Sequence, residues 1–150
     1  MAIVRTAGTE IIRCWAGDGL NNSGRIIIKG VQHHIYTILN ITVFAYSIQA
    51  EGNYVKCFLS GFDSIGGTPS ASIELFRQEM SGAETFVWDN KFSFNGVEPI
   101  AFTGPMDTAI KQDALADQAH GSGLTQQLYL EAEHASDNFH AICTLSLIHI

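Results

Sequence analysis

Hydrophobic and polar positions alternate along most of this chain in short runs, and Gly, Asn, Asp and Pro break the runs apart. A period of two is what a strand with one buried face produces. Residues 11–15 predict a first strand. Residues 16–24 predict a loop, because Gly17, Asp18, Gly19, Asn21, Asn22 and Gly24 crowd together there. Residues 25–29 hold Ile26, Ile27 and Ile28 between two cations and end at Gly30. Such a strand sends apolar side chains to both faces, so it is either buried on both sides or feeds an interface. Residues 34–49 are rich in Ile, Val, Thr, Tyr and Phe, which suit a pleated surface. The run is long for one strand and is expected to bend or bulge near Asn40. Residues 54–59 set Tyr54, Lys56 and Phe58 against Val55, Cys57 and Leu59, and either set could face inward.

After the loop Gly66-Gly67-Thr68-Pro69, residues 71–77 predict a strand with Ile73, Leu75 and Arg77 on one side. Residues 84–88 precede Asp89-Asn90, a turn signal, and residues 91–94 follow it. The last two strands are expected at 124–133 and 139–144, joined by residues 134–138; Leu128, Leu130 and Ala132 share one face. One segment departs from this rhythm. Over 108–119 the chain predicts a short helix, with Asp107 or Thr108 to accept its first N–H groups and Gly121 beyond its end. Ile110, Ala114 and Leu115 would make its apolar stripe. Many short strands and one helix predict an all-β fold, a single antiparallel jelly-roll-like β-sandwich with one short helix near 108–119.

Composition narrows the partners. A chain of 150 residues with 46% hydrophobic and 15% charged residues can build one core and is unlike a disordered chain. Its net charge of −7 argues against a partner held through nucleic-acid phosphates. No apolar run approaches the ~20 residues of a membrane helix; residues 35–48 come nearest and are interrupted by Thr37, Asn40, Thr42 and Ser47. The first residues lack the features of a secretory leader. Three scattered cysteines, Cys14, Cys57 and Cys143, predict reduced thiols packed in strands and synthesis in a cytoplasm.

The last six residues stand apart. Leu145-Ser146-Leu147-Ile148-His149-Ile150 is what CTG-TCT-CTT-ATA-CAC-ATC encodes, and that DNA is a transposon mosaic end used as a sequencing adapter. The expectation is one domain over 1–144, with 145–150 an adapter translation that is not native. Resequencing across the codon for Thr144 tests it.

Candidate chemistry is sparse. His33 and His34 point to opposite faces of a strand, and His120, His134, His140 and His149 lack zinc-site spacing. Asp113 and Asp117 share one helix face with Asp107 nearby, a solvated surface rather than a calcium loop. Gly17-Asp18-Gly19 lacks the setting and the lysine of a phosphate loop. No serine sits in a nucleophile elbow. Expected are no catalytic, cofactor-binding or metal residues, no cofactor and no enzyme. Phe86, Trp88, Phe92, Phe94 and Phe102 suit either a sandwich core or a sugar-stacking platform, and the core is favoured. A lectin-like carbohydrate-binding module therefore stands as the alternative, with Trp15, Tyr54, Trp88 and Tyr129 as the rings to watch.

The stretch Trp88-Asp89-Asn90-Lys91-Phe92-Ser93-Phe94-Asn95-Gly96-Val97-Glu98-Pro99-Ile100-Ala101-Phe102-Thr103-Gly104-Pro105 resembles small phage virion proteins of head-decoration and head-fibre types. So does Ser136-Asp137-Asn138-Phe139-His140-Ala141-Ile142-Cys143-Thr144, and His33-His34-Ile35-Tyr36-Thr37-Ile38 looks like an early strand of such chains. In that family a hairpin leads to an apolar–Phe–x–Gly segment and a polar Ser-Asp turn precedes the last strand. The resemblance implies a non-enzymatic structural protein, made in the host cytoplasm and located on the virion as capsid decoration or fibre. Major capsid or tail proteins would be its partners, with glycans as a further candidate and neither nucleic acid nor membrane among them. Sandwich edges must be covered or blunted, so a homo-oligomer is expected, a trimer favoured.

Overall fold

A computed structural model describes residues 10–31, 34–63, 68–97, 108–110 and 125–149. Nine strands follow one another: β1 (Glu10–Leu20), β2 (Arg25–Lys29), β3 (His34–Ser47), β4 (Tyr54–Asp63), β5 (Thr68–Glu79), β6 (Thr85–Trp88), β7 (Phe92–Asn95), β8 (Gln127–Ala132) and β9 (Asn138–His149). Sheet I has the order β1-β9-β3-β6, with β7 also pairing β3, and sheet II has the order β2-β8-β4-β5. All pairings are antiparallel. The fold is an all-β sandwich, as the alternation predicts.

Strand periodicity builds the interior. From sheet I, Tyr36 and Ile38 of β3 are buried, then Ile41, Val43 and Ala45. The switch from even to odd positions occurs at Leu39, which the register skips between Ile38↔Leu145 and Asn40↔Thr144. An extra residue in one strand shifts every later side chain to the other face. This is the bulge expected near Asn40. Phe139, Ala141, Cys143, Leu145 and Leu147 of β9 lie buried beside them, and sheet II contributes Val55, Cys57, Leu128, Leu130 and Ala132. Each fully buried aliphatic side chain here stabilises the fold by about 1.5–3 kcal/mol. The ambiguity in β4 resolves with Val55 and Cys57 inward.

One side of the interior, along β5, β6 and β7, is aromatic. Phe76 of β5 meets Phe86 at 5.2 Å and Trp88 at 5.5 Å between ring centroids. Trp88 meets Phe92 at 5.7 Å, and Phe94 stacks on Tyr36 at 5.6 Å. Below them, Asp137 ties two loops together: its Oδ1 accepts from Gln49 N (2.8 Å) and Asn53 Nδ2 (3.0 Å), and its Oδ2 accepts from His134 N (2.9 Å). Gly30 and Gly96 pass so close that a Cβ on either would strike the other's strand end. Gly30 N donates to Gln126 O and Gln126 N to Gly96 O, at 2.8 and 2.9 Å.

Several expectations are corrected. The expected loop over 16–24 is strand as far as Leu20, because Gly17 and Leu20 pair with Ala141 and Phe139 around a bulge. Backbone pairing to β9 overrides the glycine content there. Asp89-Asn90 turns no hairpin: β6 and β7 lie in line along β3, with Trp88 opposite Ile41 and Phe92 opposite Ile38, and residues 89–91 form a jog. In β5 the register skips Leu75, so Ile73, Leu75 and Arg77 do not form one regular face and Phe76 turns to the interior rings. In β2 a register shift buries both Ile27 and Ile28 and leaves Ile26 exposed. Cys14 is exposed rather than packed. Residues 145–149 form the second half of β9 and pair with both β1 and β3, which leaves the question of their adapter origin where the sequence put it. The expected helix near 108–119 lies, apart from 108–110, outside the described residues.

Candidate functional site

With the interior filled from both sheets, the described residues present two outer faces, and these are built from different residues. Not one Asp, Glu, Lys or Arg occurs in β3, β6, β7 or β9. Since neighbouring strands are in register, their outward side chains line up in rows. One row runs Ala16, Ile142, Thr42, Val87 across all of sheet I. The next holds His140, Phe44 and Thr85. Ile142 is 50% exposed, Val87 55%, Ile12 57% and Tyr46 61%. Tyr46 lies flat on the His140 ring, 4.8 Å between centroids, and Phe44 meets that ring edge-on at 6.5 Å. A groove of ≈ 450 Å³ opens there, lined by Gly17, Asp18, Arg25, Phe44, His140 and Ile142 among others. Arg25 spans it from the second sheet, with Nη2 donating to Asp18 O at 3.1 Å.

The outer face of sheet II alternates charge and aromatic ring. One row reads Glu131, Lys56, Arg77 and the next Ile26, Tyr129, Phe58, Glu74. Lys56 Nζ sits 4.9 Å from the Phe58 centroid and 5.4 Å from that of Tyr54, and the Arg77 guanidinium is 4.4 Å from Tyr54. Phe58 and Tyr129 stack at 5.0 Å. Arg77 also bonds Glu74, Nε to Oε1 at 2.7 Å, and this hydrogen bond raises the guanidinium pKa further. The cations are thus spoken for within the face. A second groove of ≈ 420 Å³ runs beside it, lined by Ser60, Gln127, Tyr129 and residues 23–26.

The residues singled out from sequence do not converge. His34 stacks against Tyr36 at 6.2 Å, and His134 Nδ1 accepts from Ser136 N at 3.0 Å. Among the described residues no group of three or more His, Cys, Asp or Glu could hold a metal ion. His33, His120, Asp107, Asp113, Asp117, Phe102 and the His149 side chain lie outside what is described. Phe86, Trp88, Phe92 and Phe94 pack into or against the core, so they form no sugar platform. Trp15 also packs against the core, whereas Tyr54 and Tyr129 stand half-buried on the outer face of sheet II. Burial pushes the Cys143 thiol up to about 12 and the Cys57 thiol higher still, so neither is a ready nucleophile. Among the described residues no helix is long and apolar enough to cross a membrane. The uncharged outer face of sheet I was missed in the sequence, although the signal was present as two long strands without a formal charge.

No protein-family model matches the chain, and no curated protein matches it. Among solved structures it is similar to a chain of the Bacillus endospore appendages, described as disulfide-linked pili, with 8% identity and a TM-score of 0.43 over 100% of this chain and 96% of that one. It is also similar to a chain of the T13 infectious bursal disease virus particle, with 7% identity and a TM-score of 0.47 over 99% of this chain and 33% of that one. A chain of the Gx strain of that virus gives 8% identity and a TM-score of 0.45, covering 97% of this chain and 34% of that one. This chain spans about a third of the length of those viral chains. The fold assignment rests on strand pairing and burial.

Proposed function

We propose that this chain is a non-enzymatic structural protein that assembles with copies of itself, as a decoration or fibre component on the surface of a phage particle. The observation that carries the assembly half is the uncharged outer face of sheet I in a chain of net charge −7. A solvated sheet face ordinarily carries charges, and exposed apolar rows on a soluble surface mark contact sites. The strand orders β1-β9-β3-β6 and β2-β8-β4-β5 support the jelly-roll reading of the sandwich, an architecture used in capsids and also in lectins. Fold alone therefore does not choose the function. The phage half follows the resemblance carried by residues 88–105 and 136–144, with major capsid or tail proteins as partners.

Light scattering on the full 150-residue chain tests assembly; a stable monomer at high concentration rejects it. Capsid, portal or tail genes beside the coding sequence support the virion role, and a metabolic operon there rejects it. A carbohydrate-binding reading keeps one specific observation, half-exposed Tyr129 beside Ser60 and Gln127 in the groove on sheet II. A glycan array reads it directly.

A further inference from the structure

We infer that the outer face of sheet I is the docking surface for a second copy of this chain, two such sheets meeting face to face. The inference rests on the self-association proposed above and names its surface. Charge is the first argument. Two chains of −7 repel, and the surface on which they meet with least penalty is one without carboxylates. Strands β3, β6, β7 and β9 provide that surface. Among the described residues, charges stand at its borders: Glu10 and Asp18 of β1, Arg25 reaching across the groove, and Asp89 and Lys91 in the jog between β6 and β7.

Area is the second argument. Strands about 4.8 Å apart and about 12 residues long at about 3.3 Å each give roughly 570 Å² for β9, β3 and the in-line pair β6–β7, and roughly 750 Å² once β1 at the border is included. A standard stable interface covers about 800 Å² per partner, so this one face suffices. The third argument is the competition. Sheet II would set Lys56, Arg77, Glu74 and Glu131 against a second copy of themselves. The edges are blunted: β5 carries Glu74, Arg77 and Glu79, β2 is five residues long between Arg25 and Lys29, β1 carries Glu10, Arg13 and Asp18, and β6–β7 is broken at residues 89–91. Charge, shortness and interruption are devices that keep edges from pairing. Exposed Ile142, Val87, Tyr46 and Ile12 carry no such device, and the groove beside Phe44 leaves room for an incoming side chain.

Sedimentation equilibrium on the full chain is the test, with Ile142→Arg and Val87→Arg on this face and Ile26→Arg on sheet II. All three positions are exposed, so an arginine there reaches solvent in the monomer, and thermal melting checks the fold. The expected result is a mass of two chains for the wild type and for Ile26→Arg. Each sheet I variant should dissociate at least about 100-fold more readily, because it buries an unpaired charge. The exposed Cys14 thiol supplies a second reading on wild-type protein. Its reaction with a thiol reagent should slow as the chain is concentrated, and should not slow in Ile142→Arg. Folded sheet I variants that keep the wild-type mass overturn this inference and leave self-association standing. A mass of three chains overturns face-to-face pairing likewise and restores the trimer. A wild-type monomer overturns both readings.

Discussion

Across sheet I the row Ala16, Ile142, Thr42, Val87 passes from one edge to the other without a charge, whereas across sheet II the row beside Tyr129 reads Glu131, Lys56, Arg77. The inner faces show no such contrast. Val43, Ile41, Cys143 and Phe139 on one side meet Val55, Cys57, Leu128 and Leu130 on the other, all buried. The hydrophobic effect asks the same of both inner faces, so they match. Nothing in folding asks the outer faces to differ. Sheet II pairs Lys56 and Arg77 with its own rings and with Glu74, and leaves Ile26 as the exposed aliphatic side chain of those rows. Sheet I leaves apolar rows uncovered.

The comparison breaks most easily if the two inner faces turn out unequal. Ile41→Ala in sheet I and Leu130→Ala in sheet II each remove side-chain atoms from a fully buried site. Each should cost about 3–4 kcal/mol, and the two costs should agree to within about 1 kcal/mol. Urea unfolding of the two variants measures it. If either substitution costs under about 1 kcal/mol, the sandwich does not have one shared core.

A second measurement uses the thiols placed inward from opposite sheets. Burial lifts Cys143 to about 12, with Cys57 above it, against an unfolded value near 9. The folded state therefore holds these protons more tightly than the unfolded state. The stability they contribute is fully present below pH ~9 and is lost as pH rises from there toward 12. Each thiol should remove about 1.4 kcal/mol per pH unit in that window. Urea midpoints between pH 9 and 11, with Cys143→Ala as reference, read the slope; equal slopes in the two proteins would place Cys143 in contact with solvent.

The charged face should respond weakly and alone. Lys56→Ala removes a cation from between two rings, and at a half-buried site this costs about 0.5–1 kcal/mol. Raising salt should not weaken association through β3, β6, β7 and β9 of sheet I, which carry no Asp, Glu, Lys or Arg to pair. Association that collapses at 1 M salt would shift the contact to sheet II.

How far the sequence leads is clear from particular strands. Both ends of β2 and the bulge in β3 were legible, because β-branched residues and a run too long for one strand leave little choice. β1 was not legible beyond Trp15, since an edge strand held by backbone pairing needs no strand-forming side chains. The inward face of β4 was ambiguous because Tyr54 and Phe58 on the outside are as apolar as what lies inside. The contact face was half legible. Missing charges are visible in the sequence, but the skipped Leu39 flips parity midway along β3, so the outward set cannot be read off by alternation. Likewise the adapter origin of residues 145–150 stays a proposal for resequencing, while in the fold Leu145 and Leu147 fill inward positions of β9.

The smallest expected effect concerns the residue between those two leucines. Ser146 is buried, and among the described residues its Oγ has no hydrogen-bond partner. It stands in the outward row of sheet I, between Ile12 and Thr37. Thr37 bonds Ser93 instead, Oγ1 to Oγ at 2.8 Å. A buried hydroxyl without a partner has lost its water and gained nothing, so removing it costs nothing. Ser146→Ala should leave stability unchanged or raise it by about 0.5–1 kcal/mol. The measurement is urea unfolding at low protein concentration, where the chain is monomeric, repeated at high concentration. A loss of more than about 1 kcal/mol in the dilute arm would mean that the hydroxyl is bonded within the chain. A loss confined to the concentrated arm would instead make Ser146 part of the contact between copies, and would carry the uncharged face one row further along β9.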